Sequence, residues 1–151
     1  MPLPDPKAGM VVNFRYLWAR EQEQGQDEGR KDRPCLIVGV VGEGAQRRVL
    51  LAPISHTPPH NAETAVEVPH ETGQRIGLDD DRKWVMCAEM NISEWPGFDL
   101  MPKRGGTKTD DNRIFGHAPK ALLVKAQRTL DQARQQNKLK MVSRLDGGLK
   151  V

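Results

Sequence analysis

Arg33 and the run Ser55-His56-Thr57 are the residues of this chain best suited to chemistry, and prolines mark both places. Arg33 precedes Pro34, which favours extended backbone and holds the guanidinium at the mouth of the apolar run 35–41. Its planar fork of donors matches two oxygens of a phosphate or a carboxylate. Ser55 closes a second apolar run, 48–54, which Pro58-Pro59 stops because proline cannot donate to a sheet ladder. If the two runs pair antiparallel, Arg33 and Ser55 come to one end of the sheet. A charged fork beside a hydroxyl suits stabilisation of the negative charge that builds up in phosphoryl chemistry. Plainer roles exist for both: Arg33 as a surface residue before a proline, and Ser55 as a turn hydroxyl.

His56 is the best-placed side chain for acid or base work. Strand alternation puts it on the side opposite Ser55, which favours a surface or interface role, and puts Thr57 on the Ser55 side. Trp95 precedes Pro96-Gly97 in a turn and is expected to be exposed. Phe14, Tyr16 and Trp18 share one face of a strand, an arrangement more often core than stacking platform. His56, His60, Cys35 and Cys87 make a poor zinc set, since the cysteines are isolated and lack a C-x-x-C pattern. No phosphate-binding loop, dinucleotide fingerprint, zinc-protease motif or nucleophile elbow is present.

The elements that must position these residues are mostly strands. Run 35–41 is apolar and β-branched, and Gly42-Glu43-Gly44 turns the chain into run 48–54, so the pair reads as a hairpin. Residues 10–18, 64–68 and 84–90 add strands, and 91–100 ends the sheet in the Trp95-Pro96-Gly97 turn. Between them, 19–32 is polar with two glycines and reads as a mobile loop, because it lacks apolar residues to offset its ordering entropy. Residues 73–83 form a polar connection with Ile76 and Leu78 as core plugs, and 103–112 is a second polar loop. Residues 114–115 add a short strand. A helix over about 118–140 is indicated by Pro119 in its first turn and by Leu122, Leu123, Ala126, Leu130 and Ala133 at helical spacing. Its other face is basic, which is usually a solvated face. Short antiparallel strands with a terminal helix point to a small mainly-β barrel in one domain, 1–151.

Composition agrees with one compact core and much surface loop: of 151 residues, 37% are hydrophobic, 5% aromatic and 28% charged. The net charge of +3 leans basic, which permits a nucleic-acid partner without requiring one. Cys35 and Cys87 sit inside apolar runs, as free thiols do in a reducing compartment, so the cytoplasm is expected. The N-terminus has no signal-like apolar region, and no stretch approaches a membrane span.

Gly9-Met10-Val11-Val12, the polar loop, Arg33-Pro34-Cys35-Leu36-Ile37-Val38 and Ala52-Pro53-Ile54-Ser55 follow one another in a familiar order. The chain resembles the PemK/MazF family of toxins over roughly residues 9–96. That resemblance implies an SH3-like barrel, a homodimer, a cognate antitoxin protein as partner, and metal-independent cleavage of single-stranded RNA without a cofactor. For such cleavage Arg33 and Ser55 are the expected catalytic residues, and His56, Thr57, Asn91 and Trp95 the expected contacts to the RNA, although the family requires no histidine at the place of His56. The chain departs from the family pattern at Met10, where an acidic residue is usual, and at Asn91, where an arginine is usual. A catalytically silent module of the same fold, binding nucleic acid or protein, is the alternative reading, and a toxin directed at a protein target is another.

Overall fold

The computed structural model describes residues 3–103 and 111–145. Three strands form its centre: β1 (Met10–Phe14), β2 (Arg33–Val41) and β3 (Arg48–Ser55). β2 pairs antiparallel with both of the others. This central sheet is buried on both faces, which is why its runs read as nearly continuous hydrophobic sequence rather than alternating. Val11, Leu36, Ala52 and Ile54 point to one core cluster. Met10, Val12, Phe14, Cys35, Ile37, Val49 and Leu51 point to the other.

The hairpin turns at Gly42, whose φ of +79° suits glycine, and a Cβ there would stand 2.5 Å from the Gln46 carbonyl oxygen. The β2–β3 register shifts between Ile37 and Gly39, a bulge at Val38. Gln127 donates its side-chain amide to the Val38 carbonyl at 2.8 Å, so the main-chain group at the bulge has a partner.

Around this centre lie β4 (Ala65–Glu67), β5 (Trp84–Met86), β6 (Glu89–Glu94), β7 (Ile114–His117) and β8 (Lys140–Ser143). β3 serves two neighbours in succession: its first half pairs β6 and its last two residues pair β5. β7 pairs β1, and β8 runs parallel to β6. The described residues thus form an eight-stranded, mainly antiparallel sheet. The pairings do not close it on itself, so the closed barrel expected from the strand pattern is corrected to an open sheet.

The terminal helix α3 spans Lys120–Gln135, with Pro119 at its N-cap. Leu122, Ala126, Leu130 and Ala133 are its buried stripe, and each leucine contributes roughly 1.5–3 kcal/mol by burial. The helix stops five residues short of the expected Lys140, because Asn137 takes a left-handed φ of +58°. The Asn137 amide then donates to the Arg134 carbonyl and the Lys138 amide to the Ala133 carbonyl, two hydrogen bonds that seal the end. The chain is released into β8, an element the tail sequence does not announce.

Further corrections concern loops. Residues 19–32 are not bare loop: α1 (Ala19–Glu23) starts there, with Glu21 accepting from the Trp18 amide at 3.0 Å. Polar anchors hold the remainder, among them Arg15 with Glu28 and Asp32, and Arg144 on the Asp27 carbonyl. α2 (His70–Ile76) occupies part of what reads as a polar connection and ends at Gly77 in the left-handed region. Ile76 and Leu78 do plug the core. Strand 10–18 ends at Phe14, and run 84–90 is split into β5 and the start of β6. The polar loop expected at 103–112 lies mostly outside the described residues, as does the end of the tail. Among the described residues, no helix is long and apolar enough to cross a membrane.

Candidate functional site

Arg33 opens β2 and Ser55 closes β3. Their strands are paired at Cys35 and Pro53, and the same register carried two places further sets Arg33 against Ser55. Both line a single cavity of about 380 Å³, together with Trp18, Arg20, Arg30, Lys31, His56 and Thr57. Glu21 is also on its wall. Cations therefore outnumber carboxylates on this surface, which suits an anion.

Arg33 is held by an aromatic rather than by an acid. Its Cζ lies 5.0 Å from the Trp18 ring centroid, and the Cζ of Arg20 lies 4.9 Å from the same centroid. Tyr16 meets Trp18 edge-on at 5.2 Å, and its hydroxyl donates to Glu89 Oε1 at 3.1 Å. Burial lowers the Arg33 guanidinium from its ordinary value, with Cys35 and Glu21 opposing the fall. Its Nε is buried and has no hydrogen-bond partner among the described residues. The guanidinium as a whole is half-buried, so an oxyanion in the cavity would meet its accessible end, where a charge-assisted hydrogen bond is strong.

Ser55 is buried, and its Oγ accepts from the Thr57 amide at 3.1 Å, so the turn-hydroxyl role is real. That bond uses a lone pair and leaves the hydroxyl proton available for donation. His56 is exposed at the rim, where its Nε2 lies 2.9 Å and 3.2 Å from the two Asp79 oxygens. Burial alone would raise Asp79, but the Lys83 ammonium at 3.0 Å, the Asp81 amide and His56 outweigh it and hold the carboxyl below its usual range. Lys83 is itself buried and also donates to the carbonyls of Asp79 and Asp81. The imidazole is thus held by a carboxylate that is anchored in turn.

The structure gathers Arg33, Ser55, His56 and Thr57, and it separates Asn91 and Trp95 from them. Asn91 is fully buried behind the cavity. Its Oδ1 accepts from the Leu17 amide at 3.0 Å and its Nδ2 donates to the Leu17 carbonyl at 2.8 Å. It clamps the backbone between Tyr16 and Trp18, and so positions the wall without touching what the cavity holds. Trp95 packs against the second core cluster at another part of the sheet, and its indole donates to the Pro4 carbonyl at 3.2 Å. It is half-buried, not exposed.

Trp18, Arg20, Arg30 and Lys31 are the residues that strand-end reasoning misses. Their charge is visible in the sequence, but nothing in their spacing says that 18–32 folds over the Arg33 end of the sheet. His56, Asp79 and Asp81 have ligand atoms within 4.8 Å of one another, yet all three are exposed, and Asp79 already serves His56 and Lys83. Cys35 and Cys87 lie in different core clusters, and Cys35 sits beneath Arg33, its Sγ 3.6 Å from the Arg33 carbonyl oxygen. Compared with protein-family models and with curated proteins, the chain finds no match in either.

Proposed function

We propose that the cavity binds the backbone of single-stranded RNA and that the protein is a metal-independent endoribonuclease, a toxin of PemK/MazF type paired with an antitoxin. The observation that carries this reading is Arg33: a guanidinium with an unpartnered buried Nε, set beside the Ser55 hydroxyl in a cavity rich in cations. The bent use of β3, shared between β6 and β5, supports an SH3-like description of the sheet.

The chemistry uses the RNA's own 2′-hydroxyl. His56 takes the 2′ proton, and the 2′-oxygen bonds to the adjacent phosphorus. Arg33 and the Ser55 hydroxyl donate to the non-bridging oxygens, whose charge grows in the phosphorane. The bond from phosphorus to the 5′-oxygen then breaks, and the imidazolium returns its proton to that oxygen. The products are a 2′,3′-cyclic phosphate and a 5′-hydroxyl end. Base, acid and cation are all side chains, so no metal is required by this route.

A silent binding module of the same fold is the second reading, and Asn91 favours it. That side chain is spent on the Leu17 backbone, so its strand adds no cation to the cavity. Incubating the purified protein with a long single-stranded RNA in EDTA and mapping the ends decides between them. Cleavage to cyclic-phosphate ends is expected; binding without any cleaved product overturns the nuclease reading in favour of the module.

A further inference from the structure

A second depression of about 330 Å³ adjoins the cationic cavity and shares Trp18, Arg20, Ser55 and Thr57 with it. Its volume is at the lower end of small-ligand sites. Beyond the shared wall its character changes: Pro58, Pro59, Met86 and Ala88 supply apolar surface, His60, Asn61 and Thr64 supply neutral polar groups, and Glu89 brings a carboxylate. A nucleotide has the same division, an anion joined to a flat, largely apolar ring with a polar edge. We infer that this depression is a nucleobase subsite that selects cytosine over uracil through Glu89, an inference that rests on the cationic cavity being the phosphate site.

The selectivity follows from how Glu89 is held. Its Oε1 accepts from the Tyr16 hydroxyl at 3.1 Å and from the Ala19 amide at 2.8 Å. Those two donors fix the carboxylate and are both on one oxygen. Oε2 takes part in no hydrogen bond among the described residues, and as a carboxylate oxygen it can only accept. Cytosine presents an amino donor where uracil presents a carbonyl acceptor, and acidic side chains pair with the cytosine amino group for that reason. Uracil in the same place would set two acceptors against each other. Because both pyrimidines have the same size, the apolar walls contribute equally to each, and His60, Asn61 and Thr64, which can donate as well as accept, can meet either base edge, whereas the Glu89 carboxylate only accepts.

The test uses binding, so that it is separate from cleavage. Hexanucleotides of 2′-deoxycytidine and of 2′-deoxyuridine cannot be cut through a 2′-hydroxyl, and fluorescence anisotropy on the full chain reads their affinity. The wild type is expected to bind the cytosine oligomer about tenfold or more tightly than the uracil one. Glu89→Gln keeps an acceptor for Tyr16 and Ala19 but turns the free position into a donor, so the preference should vanish or reverse. Ala88→Leu, which fills the depression, should bring both oligomers to one weaker affinity. Equal binding of the two oligomers by the wild type, or a cytosine preference that survives in folded Glu89→Gln, overturns the subsite and leaves the phosphate cavity standing. Absence of binding to either overturns both. Cytosine preference in a protein that cuts no RNA supports the subsite and removes only the nuclease reading.

Discussion

Arg33 is the residue on which the proposed chemistry turns, and its setting predicts how substitutions behave. Losing a donor that acts mainly in the transition state costs about 3–4 kcal/mol, roughly a hundredfold to a thousandfold in rate. Arg33→Ala should therefore lose that much single-turnover RNA cleavage while keeping its melting curve. Arg33→Lys should recover little, because it keeps the charge but loses the fork and the stacking on Trp18. A folded Arg33→Ala protein that cleaves within about threefold of wild type, far less than such a donor is worth, would remove Arg33 from the site. The cysteines give an independent check on the core. Burial pushes the Cys87 thiol up to about 12 and raises Cys35 as well, so both stay protonated at pH 8, where only a thiolate attacks. Ellman's reagent should find no reactive thiol in the native protein and both thiols in concentrated urea; rapid native reaction of either would contradict this packing.

Among the elements, β8 is the one whose docking depends most on a single side chain. Arg144 follows it and is nearly inaccessible. Its Nε and Nη2 donate to the two oxygens of buried Asp99 at 2.9 Å and 3.3 Å, and its Nη1 donates to the Asp27 carbonyl at 2.6 Å. One guanidinium thereby joins the end of β8, the turn after β6 and the segment that walls the cavity. Removing one partner of a buried pair strands the other charge, at a cost of roughly 3–5 kcal/mol. Urea denaturation of Arg144→Leu should show a loss of that order. Arg82→Ala is the comparison, because Arg82 pairs with Glu67 at 2.8 Å and lies over the Trp84 ring in solvent, and its midpoint should move far less than that of Arg144→Leu. Equal effects from the two variants would mean that the Arg144 lock does not hold the fold.

At the scale of the whole molecule, the homodimer that the resemblance implies cannot be argued from surplus apolar strands, and we propose it on another ground. The apolar strands read as exceeding what one small domain can bury. The single chain nevertheless buries them, since α3 covers one face of the central sheet and the second cluster closes over the other. Among the described residues, the large hydrophobics that stay outside are Phe98, 77% exposed, with Val41 and Met141 about half exposed. A large aromatic in solvent is the kind of group that interfaces collect. Light scattering at micromolar concentration should give about twice the chain mass of 16.9 kDa, and Phe98→Ser should lower it. A wild-type monomer would count against the dimer.

Local sequence determined the central hairpin and the terminal helix. Runs 35–41 and 48–54 are largely apolar and pair across the connection 42–47, which brings Arg33 and Ser55 to one end of the sheet; the bulge at Val38 then shifts the register by one residue and sets Arg33 against Ser55 rather than His56. The stripe of Leu122, Ala126 and Leu130 likewise needs no distant partner to be read as helix. Tertiary structure decided the rest, because it depends on contacts between residues far apart in the chain. β8 has one fully buried apolar residue, Val142, and exists by pairing with β6 some fifty residues earlier. α1 and α2 are too short to be stable by propensity, and polar anchors and core plugs fix them. Trp18 and Arg20 reach the cavity because Asn91 grips the Leu17 backbone from across the fold. A hydrogen bond between residues 74 positions apart leaves no periodicity in the sequence, so the Arg33–Ser55 end of the site was legible and its cationic wall was not.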